Sequence, residues 1–299
     1  MSKVDFQELL DSGVHFGHLK RKWNPNMAPY IFAEKKGIHI IDLNKTIAHL
    51  EQASAAVKQI AKSGKKILFV ATKKQAKEII SERAKSVNMP FVVERWTGGM
   101  LTNFATTRKS IRKMTSIDKM KTDGTWETLS KRERLFKTRQ REKLEKNFGS
   151  IADMTRLPAA IFVVDVLKES ITVKEAKRLN IPTFAMVDTN SDPRVVDFPI
   201  PANDDATKSI AKIMDVIISS VTEGLEERKA SKDKSAKDEE NEAVEIIDEK
   251  TVVAVEVEVD EVLPAKEAKK VKSTTTEAKK AKAPKKVKAD VAEDNVEDK

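Results

Sequence analysis

A short acidic segment, residues 188–192, has side chains that could ligate calcium. Its sequence, Asp-Thr-Asn-Ser-Asp, places oxygen ligands at alternate positions, as the first half of an EF-hand loop does. That loop also needs glycine at its sixth position and a bidentate glutamate at its twelfth. Because Pro193 and Pro199 occupy those positions here, the segment is not predicted to bind calcium.

Other acidic and imidazole side chains could bind a metal only if the fold brings them together. Four aspartates could meet at the carboxyl edge of a sheet and bind Mg²⁺: Asp165, Asp188, Asp204 and Asp205. Helix capping and turn formation explain the same aspartates without a metal. His15 and His18 could also share a metal, but no third ligand lies near them in the sequence, so packed or stacked imidazoles are favoured.

A nucleotide-binding enzyme is the main catalytic alternative, but its phosphate-binding loops are missing. The first apolar strand is followed by Ala71-Thr72-Lys73-Lys74, without the Gly-x-Gly-x-x-Gly motif of dinucleotide sites. Lys73 and Lys74 could still hold a phosphate at the carboxyl end of that strand. We expect no catalysis and no cofactor, and the alternative is a nucleotide- or magnesium-binding enzyme of Rossmann-like fold.

The segment with the most unusual composition is residues 95–104, Arg-Trp-Thr-Gly-Gly-Met-Leu-Thr-Asn-Phe. Its two adjacent glycines let another molecule approach the backbone closely. Arginine, threonine and asparagine side chains beside them can bind phosphate or sugar oxygens. A glycine turn with Trp96 and Phe104 buried in the core is the alternative interpretation. The predicted contacts in this segment are Arg95, Trp96, Gly98, Gly99, Thr102 and Asn103.

Further basic side chains lie on three other elements and suit phosphate binding. Residues 20–24 join three cations to an aromatic ring that could stack on a base or ribose, although a solvated loop is the simpler explanation. For the cations on a helix that follows residue 104, a solvated charged face is likewise the simpler explanation. The predicted contacts on these elements are Lys20, Arg21, Lys22, Trp23, Asn24, Lys35, Lys36, Arg108, Lys109, Arg112 and Lys113.

Composition indicates a polyanionic partner for the larger part of the chain. Residues 1–224 hold 39 Lys and Arg against 26 Asp and Glu, a net charge of +13, whereas residues 225–299 hold 17 against 21, or −4. Such an excess favours nucleic acid over an anionic membrane surface. Cysteine is absent, and no apolar run reaches the roughly 18 residues that span a bilayer. We expect a cytoplasmic protein.

Hydrophobic patterns predict the elements that position these residues. Two strand-helix-strand units, at residues 67–93 and 161–187, each have Asn-x-Pro before the second strand, which indicates an α/β fold with a mostly parallel, Rossmann-like or flavodoxin-like sheet flanked by helices. Residues 30–41 read as a β-hairpin with Lys35 and Lys36 at its tip. A last helix is expected to be capped by Asp204 and to end at Gly224.

Four regions are predicted along the chain. Residues 1–105 and 151–224 form the two parts of the α/β domain. Residues 106–150, rich in Lys, Arg and Glu with apolar side chains at helical spacing, form a protruding coiled-coil helical hairpin. Residues 225–299, first acidic and then lysine-rich, are expected to be disordered.

Several ordered motifs resemble a known family. They include Val-His-Phe-Gly-His at residues 14–18, Arg-Trp-x-Gly-Gly at residues 95–99 and Pro-Ile-Pro-x-Asn-Asp-Asp at residues 199–205. Over residues 3–224 the chain resembles the bacterial small-subunit ribosomal protein S-two family. The resemblance implies a non-catalytic protein bound to ribosomal RNA between the head and body of the small subunit. It also implies neighbouring ribosomal proteins as partners, including ribosomal protein S-one, which it would help to recruit during initiation.

Overall fold

The chain begins with a helix and a small antiparallel sheet. The computed structural model describes residues 5–256, with side chains through Ser231. The helix is α1 (Phe6–Asp11), and the sheet has the strand order β1-β3-β2, comprising β1 (Phe16–Leu19), β2 (Ile31–Lys35) and β3 (Ile38–Ile41). The hairpin of β2 and β3 is confirmed, and Lys36 and Gly37 turn the chain with positive φ angles of 55° and 76°.

Five parallel strands form the central sheet, in the order β5-β4-β6-β7-β8. They are β4 (Ile67–Val70), β5 (Phe91–Val92), β6 (Ala160–Val164), β7 (Thr183–Val187) and β8 (Phe198–Pro201). The remaining helices are α2 (Leu43–Lys62), α3 (Lys74–Ser86), α4 (Phe104–Thr122), α5 (Thr125–Thr128), α6 (Lys131–Phe148), α7 (Ser170–Arg178) and α8 (Thr207–Glu256). The predicted α/β class, with a mostly parallel sheet flanked by helices, is confirmed.

Alternate residues of the central strands serve two separate hydrophobic cores. Phe69 and Phe162 face one core, with apolar side chains of α2, α3 and α8, whereas Leu68 and Val163 face the other, with Trp96 and side chains of α4 and α7. This alternation follows from the two-residue period of a strand. Because both faces are covered, β4, β6 and β7 are buried along their whole length, as their continuous apolar sequences predict.

The repeated Asn-x-Pro sequence ends a helix in both strand-helix-strand units. Asn88 and Asn180 adopt left-handed backbone conformations, with φ of 51° and 52°. One residue later, the N–H groups of Met89 and Ile181 donate back to carbonyl oxygens in the last helical turn, at 3.0 Å in each case. This is the Schellman arrangement of a helix end. The proline that follows cannot continue the helix, so the chain enters the next strand.

The predicted insertion consists of helices. α4 and α6 contact each other through the Arg141–Asp118 ion pair, and the short helix α5 lies in the connection. A capping box starts α6, in which the Ser130 hydroxyl accepts from the Glu133 N–H and the Glu133 carboxylate accepts from the Ser130 N–H. This cap fixes the start of the second long helix.

Helix α8 differs from the prediction at both ends. Asp204 does not cap its start, because Asp204 Oδ1 binds Lys73; in the turn before the helix, Asn203 Oδ1 accepts from the Asp205 amide at 2.9 Å. The helix continues through Gly224 to Glu256, so the predicted end at Gly224 is wrong. The disorder predicted for residues 225–299 is not confirmed, because residues 225–256 belong to α8 and residues 257–299 lie outside the described part. No helix in residues 5–256 is long and apolar enough to cross a membrane.

Gly224 has a packing role that explains its presence inside a helix. A Cβ atom at this position would lie 2.5 Å from the Lys58 carbonyl oxygen and 2.9 Å from the Ala61 Cβ of α2. In an exposed helix, replacing glycine with alanine stabilises by about 1 kcal/mol. Here we expect Gly224→Ala to destabilise the protein by about 1–2 kcal/mol, because α2 and α8 must separate. Urea unfolding measures the change, and Thr222→Ala, at an exposed position one half-turn away, should leave stability within about 0.5 kcal/mol.

Candidate nucleic-acid interface

One buried carboxylate organises the segment from Trp96 to Thr102. Glu175 on α7 is 8% exposed and accepts five hydrogen bonds from this segment. The donors are the Trp96 indole at 3.2 Å, the Gly99, Leu101 and Thr102 amides at 2.7, 3.0 and 3.1 Å, and the Thr102 hydroxyl at 3.2 Å. Gly99, with φ of 87°, allows the backbone to bend around the acid.

The hydrogen bonds to Glu175 set its ionisation. Burial works to raise the pKa of Glu175, but the backbone amides of Thr102 and Gly99, together with the Trp96 indole, lower that pKa overall. The carboxylate therefore remains charged at neutral pH and acts as a fixed acceptor. Glu175 was not predicted from the sequence, because its partners lie more than 70 residues away along the chain.

Trp96 is not available for stacking on a base. Its side chain is 8% exposed, and its indole N–H is bound to Glu175. The alternative interpretation, a buried Trp96 in a glycine turn, is therefore the correct one for this residue. The backbone amide and hydroxyl of Thr102 also bind Glu175, although the residue itself is exposed. What remains at the surface is Arg95, Gly98 and Asn103.

Cations continue from this segment onto α4. Ile111 and Met114 bury one face of the helix, so the predicted basic side chains lie on its other faces. Arg108 is half-buried, and its Nη1 donates to the Thr155 carbonyl at 2.9 Å. We name the following set the loop–helix basic group: Arg95, Arg108, Lys109, Arg112 and Lys113.

A second set of cations lies on the small sheet. The backbone N–H of Lys20 donates to the Gly37 carbonyl at 3.0 Å, and the Lys20 ammonium lies 2.8 Å from the Glu34 carboxylate. These contacts place the segment after β1 beside the tip of the β2–β3 hairpin. We name the following exposed set the amino-terminal basic group: Lys20, Arg21, Lys22, Lys35 and Lys36.

Trp23 and Asn24 lie beside the amino-terminal basic group. The Trp23 ring is half-buried and packs against His39, with ring centroids 5.2 Å apart. The Asn24 side-chain oxygen accepts from the Asn26 amide at 2.9 Å, and the Asn24 amide donates to the Thr189 carbonyl at 2.8 Å. Asn24 therefore fixes the local backbone, and the Trp23 side chain remains partly accessible.

Lys73 lies in the interior, where it is paired with carboxylates. Its ammonium is 2.7 Å from Asp204 Oδ1, 2.6 Å from Asp205 Oδ1 and 3.5 Å from Asp165 Oδ2. This burial removes Lys73 from the predicted RNA contacts, since a buried cation pairs with local carboxylates. Lys74, at the start of α3, is exposed and remains available.

The four aspartates considered for Mg²⁺ do converge at the carboxyl edge of the central sheet. The fourth, Asp188, contacts His18, with 3.0 Å between Asp188 Oδ2 and His18 Nδ1, and Asp205 Oδ2 lies 3.3 Å from His18 Nε2. We name these six residues the carboxylate cluster: Asp165, Asp188, Asp204, Asp205, Lys73 and His18. The position of the Asp204 side chain is therefore explained by its ion pair with Lys73 and not by helix capping.

Local charges set the protonation of this cluster. Burial and two neighbouring aspartates raise the pKa of Asp204 to about 7. Burial alone would lower the pKa of Lys73, but its hydrogen bonds to Asp204 and Asp205 raise it overall, so Lys73 stays charged. The hydrogen bond to Asp188 raises the pKa of His18. Asp204 therefore loses its proton less readily than an exposed aspartate does.

A nucleotide phosphate does not suit the same edge of the sheet. After β4, the Thr72 amide donates to the Glu169 carboxylate at 2.9 Å, and the Thr72 hydroxyl also binds Glu169. In a phosphate-binding loop the backbone amides at this place bind the phosphate instead. With Glu169 and the aspartates of the carboxylate cluster nearby, the edge repels a phosphate.

Comparisons with known proteins agree with a non-catalytic scaffold. A model of the family described as ribosomal protein S2 matches residues 9–224. The chain belongs to the ribosomal protein S2 family. This membership confirms the resemblance noted from the sequence motifs. S2 proteins are structural constituents of the ribosome, so the prediction that the chain is not an enzyme is confirmed.

Relatives named small ribosomal subunit protein uS2 extend the match over most of their length. The protein of Phocaeicola vulgatus is 67% identical over 232 residues, which cover 78% of this chain and 83% of the relative. The protein of Bacteroides fragilis is 66% identical over 232 residues, covering 78% and 84%. The protein of Flavobacterium johnsoniae is 64% identical over 238 residues, covering 80% and 94%.

Proposed function

We propose that the chain is a structural component of the small ribosomal subunit and binds ribosomal RNA through its two basic groups. The observation that carries this proposal is that most of these basic side chains have no acidic side chain beside them. Among the residues that the structure describes, nine of the ten cations in the two groups form no ion pair: Arg21, Lys22, Lys35, Lys36, Arg95, Arg108, Lys109, Arg112 and Lys113. Charges left uncompensated on one chain suit a polyanionic partner.

Folded ribosomal RNA fits this distribution of charge better than a single DNA groove does. RNA is recognised largely through its shape, its phosphates and its 2′-hydroxyl groups. Side chains from a loop, a helix and a hairpin can follow such a surface, whereas no single helix here carries all the predicted contacts. The polar groups of Asn103 and the partly exposed ring of Trp23 add hydrogen bonding and stacking to the charges.

Further features of the proposal come from the resemblance to the S-two family. We infer a cytoplasmic site of action between the head and body of the small subunit. We also infer that α4 and α6 form a coiled-coil hairpin that projects from the α/β body, and that the chain helps to recruit ribosomal protein S-one. Depletion of the chain should then lower the amount of S-one in purified small subunits, measured by quantitative mass spectrometry.

The loop–helix basic group supplies the most direct test. Replacing both Arg95 and Arg112 with alanine removes two exposed charges without removing a described ion pair. We expect normal thermal unfolding but reduced incorporation into small subunits in sedimentation profiles. In binding to naked small-subunit RNA, the log–log salt dependence should become shallower by roughly 1.4–1.8.

A charge-matched control separates position from net charge. Lys177 and Arg178 are exposed at the end of α7 and belong to neither basic group. Replacing both with alanine changes the net charge by the same amount and should leave incorporation unchanged. Equal incorporation of the wild type and the Arg95/Arg112 double variant would show that these two side chains do not contact RNA.

A further inference from the structure

The carboxylate cluster has the donors of a metal site. We propose that the chain binds one divalent transition-metal ion through His18, Asp188 and Asp204, and that this ion is Zn²⁺. One possible ligand atom from each of these residues lies within 4.8 Å of the other two. An imidazole nitrogen with two carboxylate oxygens is a ligand set that Zn²⁺ accepts, and water can complete the coordination.

The orientation of the His18 ring is that of a metal ligand with a supporting carboxylate. Nδ1 faces Asp188 Oδ2 at 3.0 Å, and Nε2 faces Asp205 Oδ2 at 3.3 Å. In metal sites, a ligating histidine usually donates its other N–H to a carboxylate, which fixes the tautomer and the ring orientation. With the ion on Nδ1, Asp205 would have this supporting role. The Nδ1 proton is released to solvent on binding.

Asp204 supplies an independent indication of a ligand. Its Oδ1 binds Lys73, whereas its Oδ2 is buried and has no hydrogen-bond partner among the described residues. A buried carboxylate oxygen without a partner is costly. The cluster as a whole contains four carboxyl groups against one ammonium and one imidazole, so a divalent cation would offset an excess of negative charge.

The site has a route to solvent and a preference among ions. Asp188 and Asp204 are buried, but the side chains of His18 and Asp205 are 20% and 54% exposed. An ion can therefore enter beside the imidazole. Mg²⁺ favours six oxygen ligands in octahedral geometry, whereas imidazole nitrogen favours Zn²⁺ and other first-row transition metals. Zn²⁺ should therefore bind more tightly than Mg²⁺.

Metal analysis of the purified full-length chain tests this proposal. After incubation with ZnCl₂ and desalting, the wild type should retain one Zn²⁺ per chain, and added ZnCl₂ should raise its melting temperature. His18→Gln and Asp188→Asn should each abolish retention. Asp205→Asn removes the supporting carboxylate, together with its ion pair to Lys73, but no metal ligand, so it should weaken binding by about 10–100-fold.

Two matched controls identify the site. His49→Gln removes another half-buried imidazole, and Asp192→Asn removes a carboxylate in the loop that follows Asp188 while retaining a capping side chain. Both should bind Zn²⁺ as the wild type does. The proposal is overturned if the wild type retains no Zn²⁺, or if His18→Gln retains as much as the wild type. If the ligand variants do not fold, the absorption spectrum of Co²⁺ bound to the wild type tests the proposal. A spectrum that shows no nitrogen ligand would exclude His18.

Discussion

Replacing Lys73 with methionine is expected to destabilise the chain by about 3–5 kcal/mol, because it leaves buried carboxylates without their cation. The Lys73 ammonium is the group that binds both Asp204 and Asp205, at 2.7 and 2.6 Å. Methionine retains the unbranched apolar part of the side chain and lacks the ammonium, so lost charge and not lost volume dominates the change. Urea unfolding at pH 8 measures the free energy of unfolding.

The neighbouring residue provides the control for this prediction. Lys74 is exposed and forms no ion pair within the described part of the chain, so Lys74→Met should change stability by less than about 0.5 kcal/mol. If the two substitutions destabilise equally, the buried ion pairs contribute nothing specific to stability.

The cost of Lys73→Met should also depend on pH. The folded-state pKa of Asp204 is raised to about 7, above the ordinary value of 3.8. A raised carboxyl pKa means that protonation favours the folded state, and that this contribution is lost as pH rises through about 7. At pH 5.5 Asp204 is largely neutral and needs its cation less. We therefore expect a smaller destabilisation at pH 5.5 than at pH 8, and an equal one at both would show that Asp204 is ionised throughout.

The central strands could be predicted because their physical signal is local. Residues 67–70, 160–164 and 184–187 are continuous apolar runs, a pattern that is typical of strands buried on both faces in an α/β protein. β8 was not predicted because its sequence, Phe-Pro-Ile-Pro, contains two prolines. Proline is tolerated in a strand at the edge of a sheet, and β8 is such a strand.

The site was predicted less completely because its decisive contacts are long-range. The convergence of the aspartates followed from topology, since parallel strands end at one edge of the sheet. The sequence could not distinguish Lys73 from Lys74, two adjacent lysines of which only Lys73 points into the cluster. Glu175 was missed because a glutamate on an amphipathic helix is usually exposed. Its burial becomes visible only when Trp96 and the glycine turn are placed beside α7.

Replacing Glu175 with glutamine is expected to cost about 2–4 kcal/mol of stability and to reduce incorporation into small subunits. Glutamine keeps one acceptor oxygen but places an NH₂ group, a donor, where amide and hydroxyl donors now bind the carboxylate. Each buried donor left without an acceptor costs about 1–3 kcal/mol. Urea unfolding measures the loss, and Lys174→Gln, at the exposed neighbouring position, should be nearly neutral.

The pH dependence of this variant shows whether the charge of Glu175 or the shape of its side chain stabilises the turn. The pKa of Glu175 is lowered in the folded chain, so its ionised form contributes stability above its ordinary value of 4.5, and that contribution is lost as pH falls through the lowered pKa. The difference between the wild type and Glu175→Gln should therefore shrink in acid. Glu175 is held away from solvent and so contacts no RNA itself. If Glu175→Gln is less stable but fully incorporated, Arg95 binds its phosphate without the support of the turn. If stability and incorporation are both reduced, Glu175 positions the loop–helix basic group for binding.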